Sequence, residues 1–140
     1  MVTSKEILLL KKMRNNSRKS LNSISKELDV PSSTLFDMLK RLESHVIIKH
    51  TSLIDFSKLG YSIKVIFTIN SSQKDDLRHF LMRNENVNSL STVINGFQAE
   101  CVFKDLKEMT GFKERLKQFE IDELREFFVV DEIKREGFGL

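Results

Sequence analysis

The apolar residues of the first 45 positions recur every three or four residues, in three short segments. The first segment follows Thr3 and Glu6, which have the spacing of a capping box. The second follows Ser20, a residue type that often caps a helix through its hydroxyl. The third has Ser32 or Ser33 available for the same purpose. This pattern predicts three short helices.

The second and third predicted helices have the arrangement of a helix-turn-helix, with the first helix available to pack against both. Three leucines of residues 32–44 share one face of the third helix, and Phe36 and Met38 flank that face. The opposite face collects small hydroxyls and charged side chains, namely Ser33, Thr34, Asp37, Lys40, Arg41 and Ser44. A recognition helix uses such a mixture on bases and phosphates, although an ordinary amphipathic surface helix has the same periodicity.

Residues 45–55 contain two short β-branched stretches, which predict a two-stranded wing after the third helix. Lys49 and His50 would then lie along a nucleic-acid backbone. We expect His45 to end the third helix in a left-handed conformation, which histidine tolerates better than most residues other than glycine.

The period changes from helical to alternating near Tyr61, where a strand is predicted, and a helix over 73–84 follows. Two strand-like runs flank the dipeptide Asn95-Gly96, a strong hairpin signal. Another helix and a last strand complete the order βαββαβ, that of a ferredoxin-like antiparallel sheet. The predicted fold class is α+β, with a winged helix-turn-helix domain at 1–55 and the ferredoxin-like domain at 56–140.

Bulky apolar groups are also predicted on the sheet face turned away from the helices, at Ile66, Phe128 and Val130. An antiparallel sheet in a monomer normally leaves that face polar, so the pattern predicts a partner sheet and a homodimer. The regularly spaced methionines and phenylalanines are interpreted as core.

Charge separates the two halves. The chain has 140 residues with 23 Lys and Arg and 20 Asp and Glu. Residues 1–58 hold 11 basic and 6 acidic residues, whereas residues 59–140 hold 12 and 14. The excess positive charge therefore lies in the helical half, as expected if that half binds a polyanion, although a solvated basic face would look the same.

Several protein classes are disfavoured by composition. The single cysteine, Cys101, precludes an internal disulfide, and the three histidines (His45, His50 and His79) leave little material for a metal centre. No long uncharged apolar run predicts a membrane span or a signal peptide, so we expect a cytoplasmic protein. No nucleophile–base pair or phosphate-binding glycine loop is present, so we expect neither cofactor, metal nor catalysis.

Four sequence stretches, in this order and spacing, resemble the Lrp/AsnC family of bacterial and archaeal transcription regulators. They are Ile-Ser-Lys-Glu-Leu-Asp-Val-Pro-Ser-Ser-Thr-Leu (24–35), Leu-Lys-Arg-Leu-Glu (39–43), Val-Ile (46–47) and Lys-Leu-Gly-Tyr (58–61). The resemblance covers nearly the whole chain. It implies a RAM-type C-terminal domain that dimerises through its sheet, further assembly to tetramers or octamers, and often an amino-acid-like effector.

The chain departs from the family pattern at three places, one of which is a stretch before Asp55 that is a residue shorter than usual. Members commonly carry Gly-x-x-Asp in the hairpin between the second and third strands, whereas here Gly96 is followed at that spacing by Ala99, with Glu100 next. An effector's amino group needs an acidic or carbonyl partner once it leaves water, and the only acid among these three candidate effector residues is displaced by one position. Many members also carry arginine where Met38 stands, which predicts fewer base contacts.

These observations predict a regulator that reads a pseudo-palindromic site in double-stranded DNA with residues 32–44. We expect base contacts from Ser33, Thr34, Asp37 and Arg41. We expect phosphate contacts from Arg18, Lys19, Ser32, Lys40, Lys49 and His50. Two alternatives are a module that assembles with a relative and reads DNA weakly, and an enzyme related to the sirohaem decarboxylases.

Overall fold

The computed structural model describes residues 1–140, and their contacts divide the chain into two compact units. The helical unit comprises residues 1–53 with 136–140, and the sheet unit comprises residues 54–135. The fold class is α+β, as predicted from the sequence. The longest helix has 14 residues, and none is both long and apolar enough to cross a bilayer.

The helical unit contains three helices, α1 (Ser4–Asn15), α2 (Leu21–Leu28) and α3 (Ser32–His45). The predicted capping box is confirmed, since the Thr3 backbone N–H donates to Glu6 at 2.8 Å and the Glu6 N–H donates to the Thr3 hydroxyl at 3.2 Å. The Ser20 cap is also confirmed, because its hydroxyl accepts from the Ser23 N–H at 3.1 Å. A small core joins the helices, with Leu9, Ile24, Val30, Leu35, Met38 and Leu42 buried.

Both ends of α3 differ from the prediction. Neither serine caps it, because Pro31 occupies the N-cap position and offers no side-chain acceptor. His45 does not adopt a left-handed conformation either, as only Asp29 and Glu136 do so among residues other than glycine. The helix ends without a left-handed residue because the backbone N–H groups of Val46 and Ile47 both donate to the Leu42 carbonyl, each at 2.7 Å.

The predicted two-stranded wing is wrong, since residues 46–55 contain no strand. The segment is exposed except for Ile47, which packs against the helical core. An isolated hairpin is marginal in water unless a further strand or an apolar face supports it, and only one residue of this segment has such support.

The sheet unit follows the predicted βαββαβ order. A 3-10 turn at Phe56–Leu59 leads into β1 (Ile63–Ser71), and the remaining elements are α4 (Lys74–Arg83), β2 (Val87–Val93), β3 (Gly96–Phe103), α5 (Leu106–Leu116) and β4 (Ile121–Phe128). The strands lie in the order β2-β3-β1-β4, and every neighbouring pair is antiparallel.

Aromatic packing fills the space between the sheet and its helices. Phe112 of α5 lies 5.4 Å from the ring of Phe67, 5.5 Å from that of Phe103 and 5.9 Å from that of Phe80. Phe67, Phe103 and Phe112 are completely buried. The phenylalanines of β1, β3, α4 and α5 are therefore core residues, as interpreted from the sequence.

The hairpin between β2 and β3 turns one residue earlier than its sequence signal. Ile94 and Asn95 form the turn with negative φ angles, and Gly96 is the first residue of β3 at φ 137°. A Cβ on Gly96 would lie 2.1 Å from the backbone oxygen of Ile69. Glycine is therefore required here by the close approach of the neighbouring strand, and its φ is one that only glycine adopts readily.

The register also corrects which aromatic residue lies on the outer face, defined here as the face of the sheet turned away from α4 and α5. Ile66 pairs with Phe127 on that face, whereas Phe128 pairs with the buried Val65 on the helix side. Val130 lies beyond the end of β4. The four apolar residues at 127–130 do not alternate with polar ones, so their faces could not be read from the pattern.

Candidate nucleic-acid interface

One face of α3 is free of the helical core and carries all four residues expected to contact bases, together with Lys40. Ser33, Thr34, Asp37, Lys40 and Arg41 are exposed, whereas Leu35, Met38 and Leu42 are buried on the opposite side. The exposed residues repeat at three- and four-residue spacing, so they form one continuous surface along the helix. That surface offers hydroxyls near its N-terminal end and cations further along.

Two residues that flank the leucine face are placed differently from each other. Met38 is 3% exposed and belongs to the core, so it does not lie on the exposed face. Phe36 is 51% exposed, and the Lys40 ammonium lies 5.4 Å from the centroid of its ring. The sequence pattern places Phe36 at the flank of the leucine face, where an aromatic residue is usually core, and so gave no sign that it would be exposed here.

The N-terminus of α3 has no side-chain cap. The Ser32 hydroxyl, expected to contact phosphate, instead donates to the Asn22 side-chain oxygen at 2.8 Å. The first backbone N–H groups of the helix therefore lack a side-chain acceptor. Such groups together with the helix dipole favour an anion at this end.

The expected phosphate-binding cations differ in whether they already have acidic partners. Arg18 and Lys49 are exposed and make no ion pair. Lys19 is bound to Glu27, which also accepts from Lys12 at 2.8 Å. These two lysines lower the pKa of Glu27 through their hydrogen bonds to it. Lys19 is therefore partly neutralised within the helical unit.

Arg41 connects the exposed face of α3 to the capping box of α1. Its guanidinium lies 3.0 Å from the Glu6 carboxylate, whose side chain is only 6% exposed. The hydrogen bond from the Thr3 backbone N–H, and after it the charge of Arg41, lower the pKa of Glu6. Arg41 therefore has a structural partner in addition to its predicted contact with a base.

Asp37 and His50 complete the face. Asp37 forms no ion pair, because the nearby Lys40 and Arg41 both have other acidic partners. Lys40 instead lies 4.0 Å from Glu43, and His50 lies 3.2 Å from the same carboxylate. With no wing present, His50 contacts the C-terminal part of α3 rather than following a strand.

The three residues considered for an effector are placed in three different environments. Gly96 is in close contact with the backbone of β1, and Ala99 is completely buried in the core between the sheet and the helices. Glu100 alone presents a functional group on the outer face, where it accepts two hydrogen bonds from Arg135 at 3.0 and 3.1 Å. No sequence signal pointed to Arg135, because the two residues are 35 positions apart.

A second surface feature is an open groove of about 830 Å³ on the helix side of the sheet unit. His79, Arg83 and Arg115 line it together with Phe80 and acidic and amide side chains. Arg83 and Arg115, which come from different helices, are thus brought together at this groove. The Arg115 guanidinium lies 5.9 Å from the centroid of the Phe80 ring.

Cys101, the single cysteine, is buried in the sheet core. Burial, and to a smaller extent the neighbouring charge of Glu100, raises the pKa of its thiol to about 12. A thiol is nucleophilic mainly as the thiolate, so Cys101 is an inert core residue at neutral pH.

Comparison with known proteins supports this description over nearly the full chain. No protein-family model matches the sequence. An HTH-type transcriptional regulator of Pyrococcus horikoshii, PH1692, is 25% identical over 137 residues, which cover 94% of this chain and 93% of that protein. The regulator PF1734 of Pyrococcus furiosus matches to the same extent.

Solved structures share the fold at lower identity. The structure of LrpC from B. subtilis has a TM-score of 0.87 at 13% identity, covering 96% of this chain and 98% of that one. The regulator NMB0573 of Neisseria meningitidis, solved as an L-Met complex, has a TM-score of 0.88 at 16% identity and covers 96% and 94%. The chain is therefore a homologue of HTH-type transcriptional regulators, and its fold is that of the Lrp-type regulators.

Proposed function

We propose that the chain is a sequence-specific regulator that binds double-stranded DNA as a homodimer or a larger even oligomer. The exposed face of α3 carries this proposal, because it combines hydroxyls, cations and an uncapped helix N-terminus on one surface. Residues 32–44 of each copy would enter successive major grooves of a pseudo-palindrome, about one helical turn apart.

The residues divide into two proposed roles. Ser33, Thr34, Asp37 and Arg41 would contact base edges. Arg18, Lys40 and Lys49 would contact phosphates, and the backbone N–H groups at the start of α3 would bind another phosphate. Lys19, Ser32 and His50 have partners within the chain, so DNA contact by any of them would exchange one hydrogen bond for another.

A titration of the protein against a random-sequence oligonucleotide pool tests the proposal. Fluorescence anisotropy at low and moderate salt would be followed by selection and sequencing of the bound fraction. We expect steep salt dependence, because phosphate neutralisation releases counterions, together with enrichment of a palindrome. Weak binding that is lost at moderate salt without enrichment of any sequence would contradict sequence-specific recognition.

Two neighbouring residues of α3 separate base readout from phosphate binding. On the selected site, Arg41→Ala should weaken binding about 5- to 100-fold and relax the preference at one base position. Lys40→Ala should weaken all sequences alike and reduce the salt slope by about one. Lys107→Ala, on α5 of the sheet unit, is the control for the same change of charge. Identical effects of the two α3 variants on selected and random DNA would contradict the assigned roles.

The Arg41–Glu6 contact requires one further variant. Glu6→Gln removes the acidic partner of Arg41 and leaves the guanidinium in place. If Arg41 reads a base, Glu6→Gln should retain the preference at the position that Arg41→Ala relaxes. If Arg41 serves only to hold α3 against α1, Glu6→Gln and Arg41→Ala should change specificity in the same way. The proposed contact of Arg41 with a base would then be wrong.

One observation favours a second candidate function, a module that assembles with a relative and reads DNA weakly. Asp37 is an unpaired carboxylate on the exposed face of α3, where it would repel phosphate. Met38, where many members of the resembled family carry arginine, gives this function no support because its side chain is buried. Light scattering on the purified chain distinguishes the two, since a self-contained regulator should form an even oligomer alone. Asp37→Asn should improve selective binding if Asp37 only repels DNA.

A further inference from the structure

Phe36 is the only phenylalanine, tyrosine or tryptophan among residues 1–53, and the folded helical unit leaves it 51% exposed. The core of this unit consists of aliphatic side chains and Met38, and Phe36 does not belong to it. In the sheet unit, by contrast, three phenylalanines are completely buried, as is usual for this residue type. The helical unit therefore exposes an aromatic ring that its own packing does not use.

The ring of Phe36 borders the exposed face of α3. Phe36 follows Ser33 by three residues and precedes Lys40 by four, and residues at these spacings are neighbours on the surface of a helix. It is also the fifth residue of α3, close to the end at which a recognition helix contacts base edges. Phe36 thus adds an apolar group to a surface whose other exposed members are hydroxyls and charged side chains.

Lys40 holds the ring on this surface. Its ammonium lies over the ring at 5.4 Å from the centroid, where the negative face of the ring attracts a cation. Because the cation occupies one face, the opposite face and the edge of the ring remain for a partner. A phosphate at that position would lose water without gaining a hydrogen bond, so the ring favours an apolar partner.

The major groove of DNA offers one apolar group that meets this requirement. Every base pair presents hydrogen-bond donors and acceptors there, and only thymine adds a methyl group, at C5. Phenylalanine is among the residue types that contact this methyl group. A phenyl ring beside polar side chains therefore favours a T·A pair over the other base pairs at the position that it touches.

We propose that Phe36 packs against the C5 methyl group of a thymine and thereby specifies one T·A pair in each half-site. The inference deepens the proposed function and rests on it, because it requires α3 to lie in the major groove. Among the four residues proposed to contact base edges, only Thr34 also carries a methyl group. The test must therefore distinguish Phe36 from Thr34.

Replacement of thymines by deoxyuridine in the selected site tests the proposal, because the two bases differ only in the methyl group. Fluorescence anisotropy gives the Kd of the full chain with each thymine replaced in turn. At one position of the half-site, deoxyuridine should weaken wild-type binding about fourfold, which corresponds to the loss of one buried methyl group. Phe36→Ala should bind the thymine and deoxyuridine sites equally. Phe36→Leu keeps an apolar side chain and should retain part of the difference.

Two control variants isolate the contribution of the ring. Phe138→Ala removes the other phenylalanine of the helical unit, which is 78% exposed and lies outside α3, and should keep the full effect of deoxyuridine. Thr34→Ser removes the other methyl group on the exposed face of α3 and should also keep it. Because Phe36 lies outside the core, Phe36→Ala should keep the wild-type melting temperature, so misfolding would not explain its effect.

The outcomes separate the methyl contact from DNA recognition as a whole. A selected half-site without thymine, or a wild-type chain indifferent to every deoxyuridine, would overturn the contact and leave sequence-specific binding intact. An effect of deoxyuridine that persists in Phe36→Ala would overturn it as well. If Phe36→Ala alters the sedimentation of the free chain but not its DNA preference, the ring contacts protein and the proposal is wrong. If selection enriches no sequence, the proposed function fails together with the contact.

Discussion

The helical unit relies more than the sheet unit on contacts between near neighbours in the sequence, although Arg41 also reaches Glu6 from the far end of this unit. In the helical unit the caps join residues three positions apart, and Glu27 binds a lysine eight positions before it. In the sheet unit Lys64 binds Glu132, 68 positions away, and Arg135 binds Glu100, 35 positions away. Contacts between near neighbours can be recognised in a sequence window, whereas contacts between distant residues depend on strand order and register.

The two units also differ in how apolar they are. The sheet unit has a core of twelve buried residues with a group of packed aromatic rings, whereas the helical unit has six and the excess positive charge. A small core with a basic surface suits a unit that gains partners by binding. The predictions below test this contrast, beginning with the two cores.

The largest expected effect is at the centre of the aromatic packing. Phe112→Ala should lower the free energy of unfolding by about 3–5 kcal/mol, because it leaves a cavity among three other rings. Leu35→Ala in the helical core should cost about 2–5 kcal/mol. Urea unfolding gives both values. Hydrogen exchange should locate the first variant's effect in β1 and α5, and the second variant's in α1 to α3. Equal loss of protection throughout the chain would contradict two separate cores.

The next effect tests the one glycine that the sheet requires. Gly96→Ala should destabilise the protein by about 2–3 kcal/mol, because its Cβ would overlap the Ile69 carbonyl in a backbone conformation that alanine rarely adopts. Gly111→Ala is the matched control within α5, where nothing lies within 4 Å of the added Cβ. That variant should stabilise by about 0.5–1 kcal/mol. Thermal unfolding of both variants measures the difference, and a neutral Gly96→Ala would show that the strand contact is not tight.

A smaller effect tests local control in the helical unit. Ser20→Ala should cost about 1 kcal/mol, because it removes the acceptor for the Ser23 N–H at the start of α2. Ser33→Ala should be nearly neutral for stability, since α3 has no side-chain cap and Ser33 is exposed. The same Ser33 variant should weaken binding to the selected DNA. If Ser33→Ala destabilises the fold as much as Ser20→Ala, the description of α3 as uncapped at its N-terminus would be wrong.

The smallest effect is a pH dependence of two ion pairs of the sheet unit, Lys64–Glu132 and Arg135–Glu100. The pKa of Glu132 is lowered chiefly by the hydrogen bond from Lys64, and that of Glu100 by Arg135 and Asn88 against partial burial. A lowered carboxyl pKa contributes stability above the unfolded value of about 4.3, and that contribution is lost as the pH falls through the folded value. We expect less than about 1 kcal/mol, because both groups reach solvent. The unfolded pKa of a glutamate is about 4.3, and NMR titration of the Glu100 carboxylate should give a midpoint below it. Arg135→Ala should return the midpoint toward the unfolded value.

The sequence by itself determined the elements whose signals are local. Thr3 with Glu6 and Ser20 each specify a helix start through partners three residues away, and the change from helical to alternating periodicity predicted the βαββαβ order. The charge difference between the halves is likewise a property of sequence alone. These features need no knowledge of what lies across the fold.

Only the tertiary structure decided the features that depend on distant neighbours. Leu35 and Phe36 are adjacent and both apolar, yet packing against α1 and α2 buries the first and leaves the second exposed. Phe127 lies on the outer face in place of the expected Phe128, because the register of β4 with β1 decides which side each residue faces. Residues 46–55 stay without strands for lack of a supporting layer, and Arg135 finds Glu100 only because β3 lies beside β1 in the sheet. Burial, register and long-range pairing are set by the folded arrangement of several segments, and no single segment encodes them.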